Sequence, residues 1–318
     1  MGRIMQIKAV LVALLAFAIF STHDVVVKFL GATFSPFQIV FFSGLFSFPL
    51  ITLMLVRDPT QGNLRPVHPW WVALRSVCVV TSPTAAFYAF TVLPLAQVYA
   101  LLFAAPLLIT VLAIPILGEK VGVMRMIAVL LGLGGVIVVV RPGATELQMG
   151  HFAALLAAFA VALQSVILRK IGREERRAVL MLYPALINVG VMGVAMIFVY
   201  EPVQLVDLGG MATVALFSFT ASLMLVYSYT NAEAALVAPM QYSQIIWAAI
   251  FGILIFSEVP DSMTLIGAGI IVASGLFIIA REARGGTSEQ TPVLRTRSRG
   301  ISPGSFRVSQ VMRRPEQE

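Results

Sequence analysis

Apolar residues of this 318-residue chain fall into ten blocks separated by short polar segments. Each block has about 17–25 residues, enough for a helix to cross a hydrocarbon core about 30 Å thick. The apolar positions do not alternate with period two, as they would in a membrane barrel. Because backbone groups in lipid must be satisfied within the segment, the pattern predicts ten transmembrane helices. Numbered in chain order as helix 1 to helix 10, they are Val10–Phe29, Pro36–Val56, Trp70–Val92, Leu95–Leu117, Gly122–Val140, Phe152–Leu168, Ala178–Tyr200, Met211–Thr230, Ala234–Phe256 and Met263–Ala280.

The two halves of the chain repeat each other. Tyr88–Glu119 aligns on Tyr227–Glu258 at a constant offset and without a gap, and we call this the central alignment. Near the start of each half an Ala-Leu-Leu-Ala run also recurs at a nearly equal offset. This second match, which we call the N-terminal alignment, places Arg169 opposite Lys28. Five helices per copy is an odd number, so the second copy enters the membrane from the opposite face.

This organisation predicts an all-α integral membrane protein with two inverted five-helix repeats. We expect the first repeat at residues 1–145 and the second at residues 146–281. Residues 282–318 are rich in Arg, Ser, Gly, Thr and Pro, which predicts a disordered, basic, cytoplasmic tail. Inverted repeats of apolar helices are typical of secondary transporters, which move a solute by alternating access.

The composition agrees with a membrane protein, and the charges predict its orientation. Hydrophobic residues make up 59% and charged residues 12% of the chain, against about 45–50% and about 25% in soluble domains. If the N-terminus is cytoplasmic, inward-facing loop segments before the tail hold eleven lysines and arginines, and outward-facing ones hold only Lys28 and Arg141. This bias predicts a multi-pass protein of the bacterial inner membrane with both termini in the cytoplasm. The expected partners are a small-molecule substrate and the lipid bilayer, with no nucleic acid.

Several other functions lack the residues that they require. There is no GxxxxGK[ST] loop for ATP, and three histidines and one cysteine offer no metal-ligand spacing. We therefore expect no metal and no cofactor. Asp24 is the only acid well inside a predicted helix, so the paired carboxylates of an enzyme are missing and we expect no enzymatic activity. A membrane enzyme or a sensor stays open as the alternative of another class.

Helix 1 carries three ionisable residues close together. Asp24 and Lys28 are four residues apart with the acid first, the favourable order for an ion pair within a helix. His23 lies about 100° around the helix from Asp24, so we expect it to reach a different neighbour. Intramembrane charges mark substrate or ion pathways, so the group could bind substrate or a proton. Alternatively, it is an ion pair that docks helix 1. The second repeat has Gln164 and Arg169 opposite His23 and Lys28, and Gln164 is a further candidate for substrate binding.

Helix 9 is the second concentration of candidate residues. It holds Gln241, Tyr242, Gln244 and Trp247. Pro239 lacks an amide hydrogen, which predicts a kink or a local opening at this point. A kinked helix with amides and aromatic rings suits a planar solute that forms hydrogen bonds. The alternative is hydrogen bonding between helices together with interfacial aromatic residues.

Further candidates are scattered over the other helices. Those for substrate binding are Tyr88, Tyr99, Asn188, Tyr227 and Asn231, and those for gating at helix ends are Lys28, Glu119, Glu233 and Glu258. The equivalent residues Tyr88 and Tyr227 could line both walls of one cavity, or pack as ordinary aromatic residues. Glu119 and Glu258 occupy equivalent helix ends on opposite faces. Gating or hydrogen bonding at a helix joint is one interpretation, and exposed loop acids, the more usual case, are the other. Glu233 opens helix 9, where an acid is favourable.

Each half also carries the same order of motifs. The first has the joint Ala89–Ala96, Pro106, Gly118–Glu119 and Gly132–Val136, and the second has Tyr229–Ala235, Pro239, Ser257–Glu258 and Gly275. Over residues 9–281 this order resembles the drug/metabolite transporter superfamily, specifically proteins built from two EamA-type domains. The chain departs from that pattern in Ser257, where glycine is usual, and in the displaced Pro239. The resemblance implies a ten-helix inverted-repeat carrier that moves small metabolites through a central cavity.

Two strings narrow this resemblance. Ser21–Lys28 in helix 1 and Ala238–Tyr242 in helix 9 are similar to a proteobacterial subgroup linked to riboflavin, S-adenosylmethionine and amino acids. The resemblance implies riboflavin uptake as the leading expectation. The alternatives are an amino-acid, S-adenosylmethionine or drug carrier or exporter of the same fold.

Overall fold

The structure, a computed structural model, describes residues 3–56, 64–119, 121–143, 146–172, 174–232 and 234–284. Every secondary-structure element of these residues is helical, and they form the ten predicted helices. The eight continuous helices are helix 1 (Arg3–Leu30), helix 2 (Pro36–Val56), helix 3 (Pro69–Val92), helix 5 (Val123–Val140), helix 6 (Met149–Ile171), helix 7 (Arg177–Val199), helix 8 (Leu205–Asn231) and helix 10 (Ser262–Arg284). Helix 4 consists of two segments, Leu95–Leu102 and Ala105–Leu117. Helix 9 consists of Ala234–Val237, the 3₁₀ segment Ala238–Tyr242, and Ser243–Phe256.

Length and hydropathy support a membrane protein. Within the described ranges, nine helical segments are long and apolar enough to cross a membrane. Helix 2 adds a shorter apolar stretch, Pro36–Pro49, within a helix that runs to Val56. The predicted all-α membrane fold is confirmed.

Helices 4 and 9 are both discontinuous. Helix 4 is interrupted at Phe103 and Ala104, and the following segment has Pro106 in its first turn, where a missing amide hydrogen leaves no helical bond unmade. Helix 9 passes through a 3₁₀ segment that contains Pro239, so the helix is irregular where a kink or a local opening was predicted. In the central alignment Phe103 is equivalent to Tyr242, so the two interruptions occupy the same place in each repeat.

Helix packing follows the repeat. Helix 1 packs on helix 8 and helix 3 on helix 6, which are equivalent contacts when five is added to each number. Helix 5 packs on helix 10, helix 2 on helix 7, and helix 4 on helix 9. In each of these pairs the two helices are equivalent to each other in the repeat. The two halves are therefore intertwined about a pseudo-twofold axis.

Loop contacts agree with ten successive crossings. We call the face at which helix 1 begins the proximal face and the opposite one the distal face. Gln38, at the start of helix 2, donates from Nε2 to the Glu201 carbonyl after helix 7 (2.7 Å), both at the distal face. At the proximal face, the His68 amide before helix 3 donates to Glu175 after helix 6 (2.5 Å). Both contacts join ends that a ten-helix topology places together.

Glycines allow helices 5 and 10 to pack closely. A Cβ atom at Gly135 would lie 2.9 Å from the Gly267 carbonyl oxygen, and one at Gly267 would lie 2.7 Å from the Gly135 carbonyl oxygen. The backbones of helices 5 and 10 therefore touch, as small residues permit in membrane helices. The predicted gating residue Glu233 and residues 285–318 of the predicted tail lie outside the described residues.

Candidate functional site

The main candidate site lies where helix 1 meets the first part of helix 4. Tyr99, fully buried in helix 4, donates its hydroxyl hydrogen to Oδ2 of the buried Asp24. Asp24 Oδ1 lies 2.8 Å from Nδ1 of the buried His23, and the Tyr99 oxygen lies 3.3 Å from the Ser21 oxygen. We call Ser21, His23, Asp24 and Tyr99 the Asp24 cluster. If the carboxylate is ionised, His23 Nδ1 carries the hydrogen, and both contacts stabilise the negative charge.

Aromatic rings connect the Asp24 cluster with the interruption in helix 9. The Tyr99 ring packs against Phe103, with ring centroids 6.1 Å apart, and Phe103 meets Tyr242 edge-on at 5.1 Å. On the other side, the rings of His23 and Phe87 of helix 3 are 5.7 Å apart. The equivalent residues Phe103 and Tyr242 thus touch between the two interrupted helices, and an acid lies at one end of the series of rings.

The predicted ion pair between Asp24 and Lys28 is wrong. Lys28 Nζ lies 2.5 Å from Glu258 Oε1 and donates to the Leu93 carbonyl at 2.8 Å. His23 reaches a different neighbour, the Phe87 ring of helix 3, as expected, but its Nδ1 atom also contacts Asp24. Helix 4 presents Tyr99 to Asp24 and helix 9 presents Glu258 to Lys28, and these partners from other helices replace the contact within helix 1.

The two helix-end glutamates are not the exposed loop acids that we expected. The Glu258 side chain is 24% exposed, and the Glu119 side chain is 8% exposed and bonded to Arg169 of helix 6. Next to Arg169, Lys170 donates to the Ile116 carbonyl (2.9 Å). Both glutamates therefore bind the opposite repeat.

The predicted residues of helix 9 lie at its interruption, and three of the four are buried. Gln241, Tyr242 and Gln244 are buried, while the half-buried Trp247 stacks on Phe251 of the same helix (6.1 Å). Beside the 3₁₀ segment, a groove of about 410 Å³ between helices 1, 9 and 10 is lined mainly by apolar side chains and includes Tyr242.

Other candidates lie away from the Asp24 cluster. Tyr88 and Tyr227 are 38% and 44% exposed on equivalent faces of helices 3 and 8. Asn188 of helix 7 packs its amide against Gly44 of helix 2, and Asn231 donates to the Tyr227 carbonyl of its own helix (2.8 Å). Gln164 is half-buried on helix 6.

Sequence reasoning missed several contributors. Phe103 could have been found, because the gap-free central alignment places it opposite Tyr242. The alignments relate Arg169 to Lys28 and Glu119 to Glu258, so the Arg169–Glu119 contact follows only once the Lys28–Glu258 contact is known. Ser21 and Phe87 carry no sequence signal that separates them from neighbouring residues of their helices. The described residues include no group of three His, Cys, Asp or Glu side chains that could hold a metal ion.

Ten membrane helices in inverted repeats, with two interrupted helices and a buried acid close to one of them, are typical of transport proteins. The family is shown by the sequence itself. Residues 7–141 and 148–280 match the EamA-like transporter family, and the chain belongs to it. It is a multi-pass membrane transporter.

Named relatives span nearly the whole chain. An S-adenosylmethionine uptake transporter of Rickettsia prowazekii (strain Madrid E) is 28% identical over 282 residues, which cover 87% of this chain and 94% of the relative. A pseudopaline exporter of Pseudomonas aeruginosa (strain UCBPP-PA14) is 26% identical over 278 residues, 87% of this chain and 97% of the relative. A crystal structure with a TM-score of 0.57 and 19% identity covers 86% of this chain and 99% of its own, and shares the fold.

Proposed function

We propose that this transporter is a secondary carrier for a small organic cation with a ring system, and that S-adenosylmethionine is its substrate. The observation that carries the proposal is the Asp24 carboxylate, buried in helix 1 beside a series of aromatic rings. S-adenosylmethionine has a sulfonium cation, an amino-acid group and a planar adenine. A carboxylate attracts the cation, and aromatic faces attract both the cation and the adenine.

The cost of the charge supports a role in transport. An acid inside a membrane helix is unfavourable, and it is usually found on a substrate or ion pathway. A carboxyl group on such a pathway attracts a cationic substrate.

The relatives support the substrate class. Four rickettsial relatives, 27–28% identical, are named S-adenosylmethionine uptake transporters. No relative in this group is named for riboflavin, so the leading expectation from the sequence has no support here. The pseudopaline exporter shows that relatives of similar identity differ in substrate and in direction.

Orientation follows from the charges. We place the proximal face, and both termini, in the cytoplasm of a bacterium, because loop lysines and arginines concentrate there. Uptake then begins at the distal face. The Asp24 cluster and the interrupted helices would bind the solute between the two faces, and alternating exposure would release it at the proximal face.

The test is exchange in proteoliposomes. Vesicles preloaded with unlabelled S-adenosylmethionine should accumulate labelled S-adenosylmethionine from outside, and protein-free vesicles should not. S-adenosylhomocysteine has the same adenosyl and amino-acid groups without the sulfonium charge, so it should compete poorly.

Two results would contradict the proposal. Equal competition by S-adenosylhomocysteine would remove the role of the cation. Absence of S-adenosylmethionine exchange, in a preparation that exchanges riboflavin or an amino acid, would replace the substrate and leave the transporter assignment in place.

A further inference from the structure

Two ion pairs join the repeats at opposite faces of the protein. At the distal face Lys28, near the end of helix 1, contacts Glu258 after helix 9 at 2.5 Å. At the proximal face Arg169, near the end of helix 6, contacts Glu119 after helix 4. Lys28 and Arg169 are equivalent in the N-terminal alignment, and Glu119 and Glu258 in the central alignment. Each pair therefore takes its base from one repeat and its acid from the other, and the pseudo-twofold axis relates the two pairs.

Both pairs are shielded from solvent. The Lys28 and Arg169 side chains are 10% and 11% exposed, and Glu258 and Glu119 are 24% and 8% exposed. By contrast, the Asp261 side chain is 51% exposed in the ion pair that it forms with Arg141 between helices 5 and 10. Shielded charges attract more strongly than exposed ones, and separating them is unfavourable unless water reaches both.

The Lys28–Glu258 pair at the distal face also contacts the ends of helices 3 and 4. Lys28 Nζ also donates to the Leu93 carbonyl at the end of helix 3 (2.8 Å). Glu258 Oε2 accepts the Leu95 backbone N–H at the start of helix 4 (3.2 Å). The ends of helices 1, 3, 4 and 9 are thus joined at one point. Separating helix 1 from helix 9 at the distal face breaks this set of contacts.

We propose that Lys28–Glu258 is the latch of the distal gate and Arg169–Glu119 the latch of the proximal gate, and that transport opens them in alternation. Each ion pair keeps the helices at its face together as long as water does not reach its charges. When that face opens, water enters and hydrates both charges, which offsets the loss of their attraction. Because the latches are related by the axis that exchanges the two faces, the same physics applies inward and outward. This inference rests on alternating access, which belongs to the proposed function, and it does not depend on the substrate.

Sided labelling of a cysteine tests the proposal without substrate. Cys78 is the only cysteine, so Cys78→Ala gives a cysteine-free background, and Ser21→Cys places a reporter in the Asp24 cluster. A membrane-impermeant thiol reagent is applied to the distal face in one vesicle orientation and to the proximal face in the other. Lys28→Met should raise the labelling rate from the distal face about fivefold or more and lower it from the proximal face. Arg169→Met should do the reverse.

Two further variants distinguish a latch from general loosening of the fold. The exchange Lys28→Glu with Glu258→Lys should restore part of the labelling pattern of the background protein, because the ion pair is rebuilt with its charges reversed while the hydrogen bonds to the Leu93 carbonyl and from the Leu95 N–H are lost. Arg141→Met is the matched control, because Arg141 also forms an ion pair between the repeats at the distal face. It should leave the labelling rates from both faces unchanged.

Three outcomes would overturn the proposal. They are equal shifts by Lys28→Met and Arg169→Met at the same face, unchanged labelling in both variants, or a shift of the same size in Arg141→Met. If the labelling responds to the variants as expected but S-adenosylmethionine is not exchanged, only the proposed substrate is rejected. The two proposals can therefore be rejected separately.

Discussion

Asp24 is an ionisable residue that is almost completely buried. Its carboxylate accepts a hydrogen bond from Tyr99 and contacts His23, and all three side chains are buried. Hydrogen bonds to a charged group contribute about 1.5–3 kcal/mol each, so the two partners stabilise the ionised form. The arrangement places a carboxyl group beside aromatic rings, which suits the proposed cationic solute.

Replacement of this charge by an isosteric amide is the most direct prediction at the residue scale. Asp24→Asn should lower S-adenosylmethionine exchange at least about tenfold, equivalent to about 1.4 kcal/mol, because the attraction to the cation is lost. Labelled exchange in proteoliposomes measures the effect at matched protein content.

Ser21→Ala is the control for that substitution, since it removes a hydroxyl 3.3 Å from Tyr99 and leaves the carboxylate unchanged. It should retain most of the exchange. If Asp24→Asn exchanges normally but no longer accumulates substrate against a gradient, Asp24 carries a proton and does not bind the cation.

At the scale of elements, the contact between helices 9 and 10 depends on a glycine. A Cβ atom at Gly275 would lie 1.8 Å from the Tyr242 hydroxyl and 2.8 Å from its ring carbon Cζ. The bulky Tyr242, which closes the 3₁₀ segment, is accommodated because helix 10 has no side chain at this point. The interruption of helix 9 and the glycine of helix 10 therefore form one packing unit.

Gly275→Ala should disturb that unit. Overpacking by one methyl group typically costs about 1–3 kcal/mol, so the apparent melting temperature of the purified protein should fall and exchange should decline. Thermal unfolding in detergent measures the first effect.

Gly269→Ala is the matched substitution on the same helix, because a Cβ atom there meets nothing within 4 Å. It should be neutral or slightly stabilising, since alanine favours helix over glycine by at most about 1 kcal/mol. Equal losses in both variants would show that helix 10 tolerates no added methyl group, and the role of Tyr242 would be rejected.

At the scale of the whole molecule, the inverted repeat explains features that look unrelated along the chain. It relates the interruptions of helices 4 and 9 to each other, the Phe103 ring to the Tyr242 ring, and the ion pair Lys28–Glu258 to the ion pair Arg169–Glu119. It does not relate the Asp24 cluster to a second copy, because Ser165 occupies the position opposite Asp24 in the N-terminal alignment. The helix framework is therefore symmetric, and the acid is not.

The topology can be tested with reporter fusions. Fusions after Glu174 and Glu318 should report the cytoplasm, and a fusion after Asp207 should report the periplasm, because ten crossings and the loop charges require this order. Activities of a cytoplasmic and a periplasmic reporter at each position give a paired measurement. A reversed result at any of the three positions would contradict the number of crossings or the orientation.

Much of the fold could be predicted from the sequence, because its causes are local. A block of apolar residues must satisfy its own backbone in lipid, so its length and composition are enough to predict a helix. Pro239 cannot donate a backbone hydrogen bond, so the irregularity of helix 9 could be predicted from one residue. The repeat is visible in the alignment, and it contains the equivalence of Phe103 and Tyr242.

The partners of the charged residues were decided only by the tertiary structure. Asp24 and Lys28 look like an ion pair in helix 1, but Tyr99 lies 75 residues from Asp24 and Glu258 lies 230 residues from Lys28. Helix spacing predicts contacts within one helix, and it contains no information about which side chain a second helix brings closer. Packing of the intertwined repeats made that choice: it turned two helix-end glutamates into contacts between the repeats and brought a tyrosine from helix 4 to Asp24.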